Sequence, residues 1–260
     1  MELWGQACSA IAAIALLGAS LAAVGSLRLA RAPAGTPGTL LGRVWRSGAF
    51  VAVAALLLSV ILRGVAAADR AGEIGWSPLA SVGDRAAVVA LLAALLAVAS
   101  EWPDLVRLRE RPGRWAGWLP IAVVAAIGAL DWPATSSPAP LLSLFTLGAA
   151  GLGLWAVGQA LDALTPRERT ESWAPVVAFG AVTLNVLVVG AVNWRVWGAP
   201  GPTAGVSSDG FLVLLAIWLV GAAGLLLRRH AVRLTAGLDL LAVALLLGLA
   251  LSVRWTLPFS

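Results

Sequence analysis

The chain has 260 residues and a mass of 26.5 kDa; 60% of its residues are hydrophobic, 12% are charged, and its mean hydropathy is +0.91. Soluble domains carry about 25% charged residues, and a core of this size cannot be covered by half that supply. An ordinary soluble enzyme, a disordered tail and a nucleic-acid binder are excluded. The composition is that of an integral membrane protein whose first partner is the lipid bilayer.

The net charge is +5, and all 18 basic residues are arginine. With Ala, Leu, Val and Gly so abundant, this bias reads as a compositional preference and says nothing about phosphate recognition. The high pI belongs to loops beside the bilayer, where basic residues set topology and meet anionic lipid. Cys8 is the only cysteine, so there is no intrachain disulfide, no redox pair and no thiolate metal site; His230 is the only histidine.

A helix needs about 20 apolar residues to cross the hydrocarbon layer. Eight stretches meet that need, at roughly 4–27, 47–67, 86–102, 116–132, 140–161, 174–197, 210–228 and 234–257. Prolines fall between them, at Pro33 and Pro37, Pro78, Pro103 and Pro112, Pro133 to Pro140, Pro166, and Pro200 and Pro202. The third and fourth are the weakest, because Arg85 and Glu101 bracket a short window. The first begins Met1-Glu2-Leu3-Trp4, without a basic flank or a small-residue cleavage site, and reads as a retained span. The expectation is one all-α, polytopic membrane domain over residues 1–260.

Arginine asymmetry orients it. The first loop holds Arg28, Arg31, Arg43 and Arg46, and the third Arg107, Arg109, Arg111 and Arg114. The fifth holds Arg167 and Arg169, and the seventh Arg228, Arg229 and Arg233. The other side keeps only Arg63, Arg70, Arg85, Arg195 and Arg254. The positive-inside rule puts the odd-numbered loops in the cytoplasm and both termini outside.

Tryptophan is abundant, at 13 residues, and tyrosine is absent. Trp4, Trp45, Trp76, Trp102, Trp115, Trp118, Trp132, Trp173, Trp197 and Trp255 fall near span ends, the expected place for an interfacial belt. Trp155 and Trp218 lie deeper and read as packing residues.

Soluble-enzyme motifs are missing: there is no GxSxG elbow, no Walker loop and no HExxH. Ionisable groups within spans are few. Asp239 stands about a turn and a half into the last span, and Arg63 closes the second; both are near enough to an interface to snorkel or pair. Asn185 sits mid-span, where an interhelical amide hydrogen bond is the usual role.

The informative segments are two outer loops. The second loop carries Trp76, Pro78 and Leu79 and leads through Asp84 into an apolar helix. The sixth carries Trp194-Arg195-Val196-Trp197-Gly198, then a Pro/Gly-rich stretch to Asp209, and enters a helix bearing Trp218-Leu219. This arrangement resembles the cytochrome c assembly family of CcsA, ResC and HemX-like membrane proteins, which handle haem on the outer membrane face. Pro78, Leu79 and Asp84 fall on that family's Pro-Leu-x-x-x-x-acid segment, with Asp in place of the usual Glu. Trp197-Gly198 matches its Trp-Gly pair, Trp194 is a looser match, Trp218-Leu219 suits its Trp-Leu pair, and Asp209 stands for its acid.

The resemblance implies an inner (plasma) membrane protein with an outer haem platform. Trp76, Trp194 and Trp197 would form the floor, Arg195 would pair with a propionate, and Asp84 and Asp209 would complete the cofactor-binding set. Cytochrome assembly components would be its partners. The family's core Trp-x-Trp-Asp-Pro-Lys-Glu is replaced here by Ala199 to Ser208, and its haem-ligating histidines have no counterpart; Ser143-Leu144-Phe145 stands where one is expected. No catalytic or metal-ligating residue is therefore assigned. The alternative is a non-catalytic membrane subunit or scaffold. Its small-residue runs, Gly148-Ala149-Ala150-Gly151-Leu152-Gly153 and Gly221-Ala222-Ala223-Gly224, would let a partner helix approach closely.

Overall fold

A computed structural model describes residues 2–29, 38–71, 81–107, 118–129, 140–163, 173–197, 207–228 and 232–252. These are helical almost throughout: α1 (Glu2–Leu29), α2 (Gly38–Ala71), α3 (Val82–Arg107), α4 (Trp118–Ala129), α5 (Pro140–Ala163), α6 (Ala174–Trp197), α7 (Ser207–Leu227) and α8 (Val232–Ser252). Their order and number follow the eight expected stretches. Six contain a segment long and apolar enough to cross a membrane: Leu3–Leu21, Ser47–Asp69, Val82–Ser100, Ala174–Val192, Gly210–Leu227 and Leu234–Leu251.

One expectation changes here. The third stretch is secure, because its helix starts at Val82 and carries Asp84 and Arg85 inside the bundle, at 3% and 1% exposure. Of the fourth stretch the described residues form α4, 12 residues and about 18 Å of helix; the rest of it lies outside the described residues. The described apolar part of α5, Leu144–Gln159, is also shorter than a span.

One buried cluster draws on all eight helices, from Leu16 on α1 and Leu56 on α2 to Leu246 on α8. Helix α3 is its most enclosed member, burying Ala86, Ala87, Val89, Ala90, Ala93, Ala94 and Ala97 while exposing Leu92 and Leu95. Alanines recurring at helical spacing let backbones approach closely, which is what holds helices together where lipid is as apolar as the side chains. Ile11, Ile14 and Leu21 on α1, Leu57 and Leu58 on α2, and Leu184 and Leu187 on α6 point outward. That arrangement of apolar side chains on the outside suits a lipid environment.

The packing falls into two connected groups. Helices α1 to α4 pack chiefly on one another, α5 to α8 do the same, and α3 with α5 forms the main seam between them. The small-residue runs serve this internal packing. A Cβ on Gly151 would come within 3.0 Å of Leu92 Cβ on α3, one on Gly153 within 3.1 Å of Val243 Cγ2 on α8, and one on Gly221 within 3.1 Å of Phe179 Cδ2 on α6. Those three glycines meet neighbours within the chain, whereas a Cβ on Gly148, in the same run, would meet nothing within 4 Å.

Of the tryptophans expected in the interfacial belt, three have described side chains: Trp4 and Trp173 are 71% and 76% exposed, as belt residues are, but Trp118 is 1% exposed and opens α4 from inside the bundle. Trp155 Nε1 donates to Ser100 Oγ at 3.4 Å, and Trp218 Nε1 to Thr183 Oγ1 at 3.0 Å. Both deep indoles are thus packing residues with a partner on another helix. Asn185 likewise pairs with Thr146 on α5, its Nδ2 lying 3.3 Å from Oγ1. An Asn185→Leu substitution is expected to lower stability by only about 0.6 kcal/mol, the usual worth of such a bond in a membrane, read by unfolding of the detergent-purified chain.

Candidate functional site

The densest polar constellation lies where the N-terminus of α1, the C-terminal part of α2, the N-terminus of α3 and the end of α4 meet. Ser81 precedes α3 and caps it: Asp84 N donates to Ser81 Oγ at 3.0 Å, and Ser81 N donates to Asp84 Oδ2 at 2.9 Å. This is a reciprocal capping box with Asp in the third helical position. Arg85 N donates to Ser81 O at 3.1 Å, the first bond of the helix.

The other carboxylate oxygen, Asp84 Oδ1, pairs with Arg63 Nη1 at 3.3 Å, and both side chains are 3% exposed. Arg63 Nη2 donates to the carbonyl of Gly128, in the last turn of α4. The carboxylate therefore serves the positive end of α3, and the guanidinium serves the negative end of α4. Among the described residues, Arg63 Nε has no hydrogen-bond partner.

One helical turn before Arg63, Ser59 Oγ donates to the Gly5 carbonyl at 2.7 Å and lies 2.6 Å from Ser9 Oγ. Since Ser59 spends its proton on Gly5, Ser9 is the donor between the two hydroxyls. Gly5 and Ser9, four residues apart on α1, thus face Ser59 and Arg63, four apart on antiparallel α2. The ion pair escapes a pattern search because its members come from two different segments. Its signal was present: an arginine ending one helix and a Ser-x-x-Asp cap opening the next.

Asp84 was expected to belong to a cofactor platform; both of its oxygens are instead committed inside the bundle. Trp194, Arg195 and Trp197 lie in the last turns of α6, and Asp209 in the first turn of α7. Helices α6 and α7 pack together, so these four share one end of a hairpin. The main neighbours of α6 are α5 and α7, whereas Asp84 faces α2 and α4. Trp76 lies outside the described residues, as do the side chains of Arg195, Trp197 and Asp209.

Haem iron takes an axial His, Cys, Met or Tyr, and the set of Trp, Arg and Asp supplies none of these. It fits porphyrin stacking and propionate pairing, but it does not fit iron ligation.

A second feature lies between α5, α6, α7 and α8. Gly153, Val157, Phe179, Ile217, Gly221 and Leu246 line a pocket of about 50 Å³ whose one charged wall is Asp239. Ligand pockets run to about 300–1,000 Å³, so this one admits a slender group and no porphyrin. Phe179 is held in place: its ring stacks on Trp218 at a centroid distance of 5.8 Å, and its carbonyl accepts from Thr183 Oγ1 at 2.9 Å. Asp239 Oδ1 lies against α7 where Gly224 has no side chain; a Cβ there would be 2.9 Å away.

These features define a class: a membrane protein whose described residues are helical, six of the described helices being long and apolar enough to span a bilayer, with polar groups that tie one helix to the next. No family model, no curated protein and no solved structure matches the chain.

Proposed function

We propose that the chain is a non-catalytic subunit or scaffold of a larger assembly in the inner (plasma) membrane, with both termini outside and the arginine-rich loops in the cytoplasm. The observation that supports this is the use made of the interior polar side chains. Ser9–Ser59 joins α1 to α2, Arg63–Asp84 joins α2 to α3, Thr146–Asn185 joins α5 to α6, and Thr183–Trp218 joins α6 to α7. A reaction centre needs polar groups converging on one reacting atom; here they are distributed as fasteners. Purification of the full chain from its own membranes in mild detergent is expected to bring down a stoichiometric membrane partner without a coloured cofactor. A chain that elutes alone from every mild detergent overturns this reading.

A haem-handling role is the second reading. It draws on Trp194, 60% exposed at the end of α6, with Trp197 three residues on along the same helix face. Added haemin is then expected to give a Soret band that survives gel filtration and weakens in Trp194→Ala and Trp197→Ala. A protein that never retains haemin removes the reading.

A further inference from the structure

We propose that the slot between α5, α6, α7 and α8 receives the ammonium of a lysine side chain from a membrane span of a partner protein, paired with Asp239. The inference rests on the subunit reading above and names the chemistry of the partner. Three of the four helices around the slot, α6, α7 and α8, are candidate spans, and Asp239 lies seven residues into α8. That is about 10 Å along the helix, so the lysine belongs at a matching depth, about a turn and a half from the end of its own span.

Asp239 stands apart from the polar side chains that fasten helix to helix. Among the described residues it makes no hydrogen bond and no ion pair. Its Oδ1 rests against α7 at Gly224, where a Cβ would stand 2.9 Å away. Arg228, just past the end of α7, acts on it through its charge alone. The side chain is half-buried and forms the one charged wall of an apolar slot. Burial there penalises an isolated carboxylate, and a cation brought against it offsets the penalty; charged groups within a membrane pair with one another for this reason. Size then selects the cation. A slot of about 50 Å³ holds about two water-sized groups at about 30 Å³ each, which matches an ammonium and the methylene that carries it. A guanidinium, with three nitrogens spread around one carbon, is too broad. All 18 basic residues of this protein are arginine, so no side chain of a second copy can be the occupant. The lysine must come from a different protein.

The test uses synthetic, tryptophan-flanked alanine-leucine spans that differ only about a turn and a half from one end, where each holds lysine, arginine or norleucine. Their association with the full chain, labelled at its C-terminus, is read by energy transfer in phosphatidylcholine vesicles. The lysine span is expected to associate about tenfold more tightly than the norleucine span, the ratio one charge-assisted hydrogen bond supplies, and more tightly than the arginine span. Asp239→Asn, nearly isosteric, should bring the lysine and norleucine spans level. Ala242→Leu, which fills the slot and leaves the charge, should also weaken the lysine span. Equal association of lysine and norleucine, arginine as tight as lysine, or a lysine preference undiminished in Asp239→Asn each overturns the proposal. The subunit reading fails on a different result, a native chain that elutes alone. A native partner held in full by Asp239→Asn leaves that reading standing and overturns this one.

Discussion

Arg63→Met is expected to destabilise the protein by about 3–5 kcal/mol, the usual consequence of removing one member of a buried ion pair. The change keeps most of the stem's volume and deletes the charge. Asp84 would then remain buried with a carboxylate satisfied on one oxygen only, by Ser81 N. The Gly128 carbonyl at the end of α4 would lose its donor as well. Asp84→Asn tests the other side, because an amide oxygen can still accept from Ser81 N while the guanidinium of Arg63 loses its counter-charge. The informative variant is the double one. With Arg63→Met and Asp84→Asn together the site is neutral and the cap on α3 is kept, so the double variant should recover much of what either single change loses. Equilibrium unfolding of the four proteins in one detergent gives the coupling energy, expected in the upper part of about 0.5–3 kcal/mol. Arg63→Met unfolding together with the unsubstituted protein would mean that water, and not Asp84, satisfies the guanidinium.

The helices were legible in the sequence because their signal is composition summed over about 20 residues. Errors arose where a single boundary mattered. Arg85 was read as a limit of the third span, yet the Ser81–Asp84 box starts that helix a turn earlier and carries both charges inside. Trp118 was placed in an interfacial belt on nearness to a span end, but burial depends on which neighbours a helix meets, and periodicity does not supply them. Asn185 was read correctly because a lone amide among apolar residues has few alternatives to an interhelical bond. Gly151 and Gly153 mark close approach in sequence, and only the fold names α3 and α8 as what approaches them. Asp84 shows the same division. Its position at a helix start was legible, whereas its commitment to Arg63 required knowing that the end of α2 lies beside it.

Gly5→Val should destabilise by about 2–3 kcal/mol, the upper part of the range for overpacking, although valine is a better helix former than glycine. A Cβ at position 5 would stand 2.6 Å from Arg63 Cγ, well inside van der Waals contact. An exposed arginine would swing aside at little cost, but this one is fixed at its far end by Asp84 and by the Gly128 carbonyl. Its stem cannot retreat without breaking those contacts, so α1 must move instead. That movement would also stretch the Ser59–Gly5 and Ser9–Ser59 bonds, which lie on the same contact line. Gly18 provides the opposite sign on the same helix. Nothing lies within 4 Å of a Cβ built there, so Gly18→Ala should stabilise by about 0.5–1 kcal/mol through helix propensity alone. The steric cause can be isolated by repeating Gly5→Val in an Arg63→Ala background, where the clashing Cγ is absent. If the penalty persists there undiminished, the glycine is required for some reason other than the arginine stem that crosses it.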